Sequence, residues 1–154
     1  MKFAAVFPGQ GSQSLGMMND LSSHFPIVKE TFDQASEVLD KNLWSIVTEG
    51  PEELLSQTEI TQPLMLAAGV ATWRIWLSQE GPMPSTVAGH SLGEYSALVA
   101  SETIDYVTAV KLVGTRSALM QQAVPEGKGG MAAILGLDAD TVIEGCAKAA
   151  NGQV

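Results

Sequence analysis

The sequence lacks what several function classes require. One cysteine, Cys146, stands in 154 residues, so no internal disulfide forms, a disulfide-stapled miniprotein is excluded, and a reducing compartment suits the chain. There are two histidines, His24 and His90, and no His/Cys cluster has metal-ligand spacing, so no metal is expected. Eight Lys and Arg stand against seventeen Asp and Glu, a net charge of −9 and the wrong sign for a nucleic-acid footprint. The longest near-continuous apolar run, Leu64 to Ala71, falls far short of the roughly 20 residues that span a bilayer. The N-terminal apolar stretch breaks at Pro8-Gly9 too soon for a signal-peptide core. No G-x-x-x-x-G-K-[ST] occurs, and Ser14 stands where a dinucleotide fingerprint after Gly9-Gln10-Gly11 wants glycine. A cytoplasmic protein without nucleic acid or membrane as partner is the expectation.

What is present is apolar. With glycine counted and tyrosine not, about 53% of the chain is hydrophobic against a usual 45–50%, while charged residues fall to 16% against about 25%. Disorder is thereby excluded. A domain of this size keeps much of its area at the surface, so a chain this poor in charge hints at missing partner surface.

The order of elements reads as α/β. Residues 3–7 form a buried strand that feeds the glycine loop Pro8-Gly9-Gln10-Gly11-Ser12, and Leu21 to Leu39 carries a helical pattern. Pro51-Glu52-Glu53 opens a short helix and Thr61-Gln62-Pro63 a longer one. From Leu64 to Leu77 that helix is apolar on nearly every side, with Trp73, Ile75 and Trp76, and so is central. Ser85 to Ala88 is a second strand, followed by a tight turn, a helix to about Ala100 and another from Ile104 to Val124. After the break at residues 125–130, Met131 to Leu137 reads as a strand and Asp138 to Ala150 as a helix capped by Asp138. This last pair either opens a second domain or packs on the main sheet as its final βα unit.

Gly89-His90-Ser91-Leu92-Gly93 matches the nucleophile elbow G-x-S-x-G, for which this composition gives about 0.12 chance matches per chain. Its setting adds weight: a strand enters, a helix leaves, and the new helix turns free N–H groups toward charge developing near Ser91. The plain alternative is a glycine-rich turn with an idle serine. A serine nucleophile needs a base, and neither histidine serves: His24 lies in a polar segment and reads as a solvent-exposed helix end, and His90 precedes the serine where the turn points it elsewhere. Arg116 lies three or four residues from Leu112, Val113, Leu119 and Met120, which puts a guanidinium on an apolar stripe. It is either salt-bridged, or snorkelling to solvent, or a bidentate clamp for a substrate carboxylate. The loop around Gln10 could lend a backbone N–H to a neighbouring site, and the methionines read as core filler.

Together, Phe7-Pro8-Gly9-Gln10-Gly11-Ser12-Gln13, Thr61-Gln62-Pro63, Gly89-His90-Ser91-Leu92-Gly93-Glu94-Tyr95 and Arg116, in that order and spacing, closely resemble the bacterial malonyl-CoA:acyl carrier protein transacylases. More broadly they resemble the acyltransferase domains of fatty-acid and polyketide synthases. The resemblance runs the length of the chain. It implies a hydrolase-like α/β large subdomain, here residues 1–124, a glycine linker at 125–130, and at 131–154 the first strand and helix of a small ferredoxin-like subdomain. It implies Ser91 as the acylated nucleophile, backbone N–H groups of Gln10 and Leu92 as the oxyanion hole, Arg116 on the malonyl carboxylate, and His90 and Gln62 lining the pocket. The partners it implies are malonyl-CoA and acyl carrier protein, with the CoA thioester as substrate, no permanently bound cofactor, and a monomer at full length.

Members of that family are considerably longer, and their histidine base lies in the second half. The expectation is therefore an N-terminal part of such an enzyme, nearly inactive alone, which accounts together for the missing base, the open βα unit and the apolar excess. The competing readings are a serine esterase or thioesterase, a polyketide-type acyltransferase, and a non-catalytic binding module.

Overall fold

The computed structural model describes residues 2–123 and 134–150. The chain divides into two compact units, Met1–Val124 and Pro125–Val154.

The first unit opens with strand β1 (Ala4–Phe7), followed by helices α1 (Asn19–His24), α2 (Ile27–Leu39), α3 (Leu43–Glu49), α4 (Glu52–Leu55) and α5 (Thr58–Ser78). Strand β2 (Thr86–Gly89) and helices α6 (Gly93–Ala100) and α7 (Tyr106–Ala123) complete it. The two strands pair in parallel, Ala4 opposite Thr86 and Phe7 opposite Gly89, so both chains leave the sheet at the same end. Helix α5 is the hub, packed against α2, α6 and α7. It is buried on nearly every side from Ile60 to Ala71 and again at Trp73 and Ile75, as its unbroken apolar sequence requires. A smaller core of Phe7, Trp73, Ala97 and Ala100 joins the sheet to α5 and α6.

Four expectations change. The run from Leu21 to Leu39 is two helices, because Pro26 forces Phe25 out of helical geometry (φ −130°, ψ 100°). Helix α5 starts one turn earlier than Thr61-Gln62-Pro63. Pro63 thus lies inside the helix, and the Thr61 hydroxyl ties the first turns to the carbonyls of Leu55 and Gln57. Trp76 and Leu77, expected in the core, are 39% and 45% exposed at its end. Finally, β1 is not a buried strand: Phe7 faces the helices, but Val6 points the other way and is 71% exposed. One face of the pair is covered and the other open.

In the second unit, α8 (Ala139–Ala150) is capped as expected. Asp138 accepts from the Thr141 N–H at 2.9 Å and the Thr141 hydroxyl at 2.7 Å, and these bonds hold its carboxyl below the ordinary range. The glycine linker at 125–130 and residues 131–133 of the expected strand lie outside the described residues; 134–138 form no strand, and Gly136 takes φ +80°.

Candidate active site

The parallel register puts the loops after β1 and β2 side by side. Gly93 packs on the first loop so closely that a Cβ there would overlap the Phe7 carbonyl, and a Cβ on Gly89 would overlap Gly93 itself. Both glycines are therefore set by close approach, and between them Ser91 is driven to φ +52°, a left-handed conformation costing a non-glycine residue on the order of 1–3 kcal/mol. This is the strained strand-to-helix turn that presents a serine at the head of a helix.

Around Ser91 the expected residues converge. Arg116, half-buried on α7, donates from Nη2 to Ser91 Oγ at 3.0 Å and from Nη1 to Gln62 Oε1. Its guanidinium lies 6.0 Å from the centroid of the Tyr95 ring, within cation–π reach. Gln62, 1% exposed on α5, points its Nε2 at Gln10 Oε1 (3.5 Å) and Met120 Sδ (3.2 Å), and Gln10 Nε2 reaches Thr58 Oγ1 at 3.1 Å. Among the described residues no carboxylate pairs with Arg116: the ion pairs are Lys29–Asp33, Lys41–Glu59 and Lys148–Glu144. The internal salt bridge is thus set aside there. The backbone N–H groups of Gln10 and Leu92 engage no acceptor among the described residues, and Leu92 directly precedes the positive end of α6.

Neither histidine hydrogen-bonds to a member of this cluster among the described residues. His90 lies against Gly9, where a Cβ would meet its carbonyl oxygen at 2.8 Å and its Nδ1 at 2.9 Å. His24 is the exposed last residue of α1, in contact with the Ser23 hydroxyl and the Asp20 carbonyl.

Two readings need correction. The stripe around Arg116 is not a buried one, since Leu112, Leu119 and Met120 are exposed and α7 is buried through Tyr106, Ala109, Val110, Val113 and Ser117. Met120 is accordingly not core filler but a sulfur acceptor beside Gln62. Sequence reasoning gave no role to Thr58 or to the Tyr95 ring. The first had one signal, its position one turn before Gln62 on the same helix face. Among the described residues no group of His, Cys, Asp or Glu is placed to hold a metal, and no helix is long and apolar enough to cross a membrane.

The model of the acyl transferase domain family matches residues 5–150. The malonyl CoA-acyl carrier protein transacylase of Escherichia coli (strain K12) is 53% identical over 153 residues, covering 99% of this chain and 50% of its own length. The protein of the same name from Bacillus subtilis (strain 168) is 45% identical over 141 residues, covering 92% and 44%. The solved malonyl CoA-acyl carrier protein transacylase from Coxiella burnetii superposes with a TM-score of 0.95 at 52% identity, covering all of this chain and 49% of that one. A malonyl-transacylase solved in complex with a type II PKS acyl-carrier protein gives a TM-score of 0.95 at 54% identity, covering all of this chain and 50% of that one. The mixed α/β arrangement with its parallel strand pair thus matches solved acyltransferases. The chain spans about half the length of the curated relatives it matches.

Proposed function

The chain belongs to the acyl transferase domain family, and on that premise we propose that it carries the nucleophile half of an enzyme moving a malonyl group from malonyl-CoA to acyl carrier protein. One observation carries the reading: a half-buried guanidinium with no carboxylate partner among the described residues is aimed at the strained Ser91. A substrate with an acyl carbonyl at one end and a carboxylate at the other supplies both missing groups.

In the proposed cycle, Ser91 Oγ bonds to the thioester carbonyl carbon while its proton passes to a base. The carbon–sulfur bond then breaks, and CoA leaves as the protonated thiol. The phosphopantetheine thiol of acyl carrier protein then takes the malonyl group by the reverse sequence. The N–H groups of Gln10 and Leu92 receive the oxyanion, Arg116 holds the malonyl carboxylate, and His90 and Gln62 line the pocket. Because neither histidine hydrogen-bonds to Ser91 among the described residues, the base belongs to the portion of the relatives that this chain does not span, and residues 1–154 alone transfer little. Residues 1–124 then form part of a hydrolase-like large subdomain, 125–130 a linker and 131–154 the opening of a ferredoxin-like small one. The whole is a cytoplasmic monomer of fatty acid biosynthesis with no resident cofactor. The malonyl-transacylase solved with a type II PKS acyl-carrier protein favours a polyketide carrier as the second reading.

Arg116→Ala in the full-length protein tests this. Loss of a charged hydrogen-bonded contact is expected to lower kcat/KM for malonyl-CoA on the order of 100-fold and for acetyl-CoA less than about threefold. Indifference of both thioesters to the substitution would instead indicate an esterase for neutral acyl groups, and equal losses would mean that Arg116 does not read the carboxylate.

A further inference from the structure

The hydrogen bonds leading away from Arg116 run in one direction, set by chemistry. A guanidinium only donates, so Gln62 turns its oxygen to Arg116 and its nitrogen away. That nitrogen faces Gln10 Oε1, so Gln10 in turn presents its own nitrogen to the Thr58 hydroxyl oxygen. The sequence of donors ends at Thr58, whose hydroxyl accepts while its proton remains free to rotate. Thr58 and Gln62 lie one turn apart on the same face of α5, and the Gln10 amide spans the two.

The Gln10 backbone has little support of its own. It lies between Gly9 and Gly11, the latter at φ +101°, in a segment that belongs to no strand or helix. Among the described residues, the backbone of residues 8–12 makes one hydrogen bond, from the Gly11 N–H to Gln13 Oε1 at 2.8 Å. Gly9 is held against His90, whereas Gly11 has open space around it, so on that side the side-chain tether to α5 is what restrains Gln10 and the direction of its N–H.

We propose that Thr58 is a positioning residue for acyl transfer: with Gln62 it pins the Gln10 side chain to α5 and so aims the Gln10 N–H at the developing oxyanion. The inference rests on the proposed role of that N–H. It also gives Arg116, which reads the far end of the acyl group, and Gln10, which meets its carbonyl, a common support on one buried helix.

The test follows acylation of Ser91 by malonyl-CoA in the full-length protein, by rapid quench and intact mass. Thr58→Val is expected to slow acylation about 10-fold with KM within about twofold, a fraction of the roughly 100- to 1,000-fold that deleting an oxyanion donor costs. Thr58→Ser is expected to recover the rate to within about threefold. In a Gln10→Ala background, with the tether already absent, Thr58→Val is expected to have no further effect. An unchanged rate in Thr58→Val overturns the inference. So does an equal loss with and without the Gln10 side chain, which marks mere support of the helix. Should Thr58→Val fail to fold, Thr58→Ala carries the same cycle. Absence of any malonyl adduct on unmodified Ser91 is read separately, because it removes the enzyme proposal itself.

Discussion

At the scale of single residues, Ser91 shows what the pentapeptide encodes and what it leaves out. The flanking glycines were readable as positions where backbones pass, and both do so at contact distance. The left-handed backbone of the serine follows from that approach. Alanine at 91 keeps the strain, whereas glycine relieves it at some entropic cost in the unfolded chain. Ser91→Gly is therefore expected to be more stable than Ser91→Ala by about 0.5–1 kcal/mol in urea denaturation, although neither can be acylated. Equal stabilities would mean that the turn is unstrained. Arg116 was visible as an anomaly of spacing. Its partners were not, because Ser91 and Gln62 lie 25 and 54 positions from Arg116 and Gln10 lies 52 from Gln62, so they meet only through the parallel register and the α5–α7 packing.

Among the elements, those with strong periodicity or punctuation were legible and those defined by a single cap were not. Helix α3 was missed. Its signal is Asn42, which accepts from the Ser45 N–H at 3.0 Å, and too few residues follow to build a periodic face, with only Leu43 and Val47 buried. The junction of α7 with α2 was also hidden, since it depends on Tyr106, whose hydroxyl donates to the Thr31 carbonyl at 3.0 Å while Arg74 stacks 4.8 Å from its ring centroid. Burial raises the Tyr106 phenol well above its ordinary value of 10.0, and the nearby Arg74 charge only partly opposes this. A raised folded-state pKa means that the unfolded chain loses this proton first. The contribution is thus complete below pH 10 and declines as pH climbs toward the folded value. Tyr106→Phe is expected to cost about 1 kcal/mol at neutral pH through the lost hydrogen bond and to flatten the fall in stability above pH 10. Parallel alkaline limbs for the two proteins would show that Tyr106 does not titrate with unfolding.

For the molecule as a whole, composition carried information that the element pattern could not. A parallel pair is ordinarily covered on both faces, and two strands alone make no independent sheet. Here Val6 stands 71% exposed on the open face, and an open cavity of about 470 Å³ runs along β1 between Phe3, Phe7, Met65, Trp73 and Trp76. None of Ser91, Gln10, Gln62 or Arg116 lines that cavity, so it lies apart from the candidate site. In the second unit, α8 buries no residue, and Leu135 is 89% exposed. The apolar excess and the shortage of charge in the sequence agree with such surfaces, and no periodicity argument could have said where they lie. Exposed apolar area on this scale is a liability in water. A polypeptide of residues 1–154 alone is expected to bind a hydrophobic dye, to self-associate in sedimentation velocity, and to leave malonyl-CoA unreacted over hours. Supplying the C-terminal half of a full-length relative as a second polypeptide is expected to convert it to a one-to-one species, abolish dye binding and restore the malonyl adduct on Ser91. A dye-silent monomer that acylates without the second half would place the base within these 154 residues and overturn the division of labour proposed here.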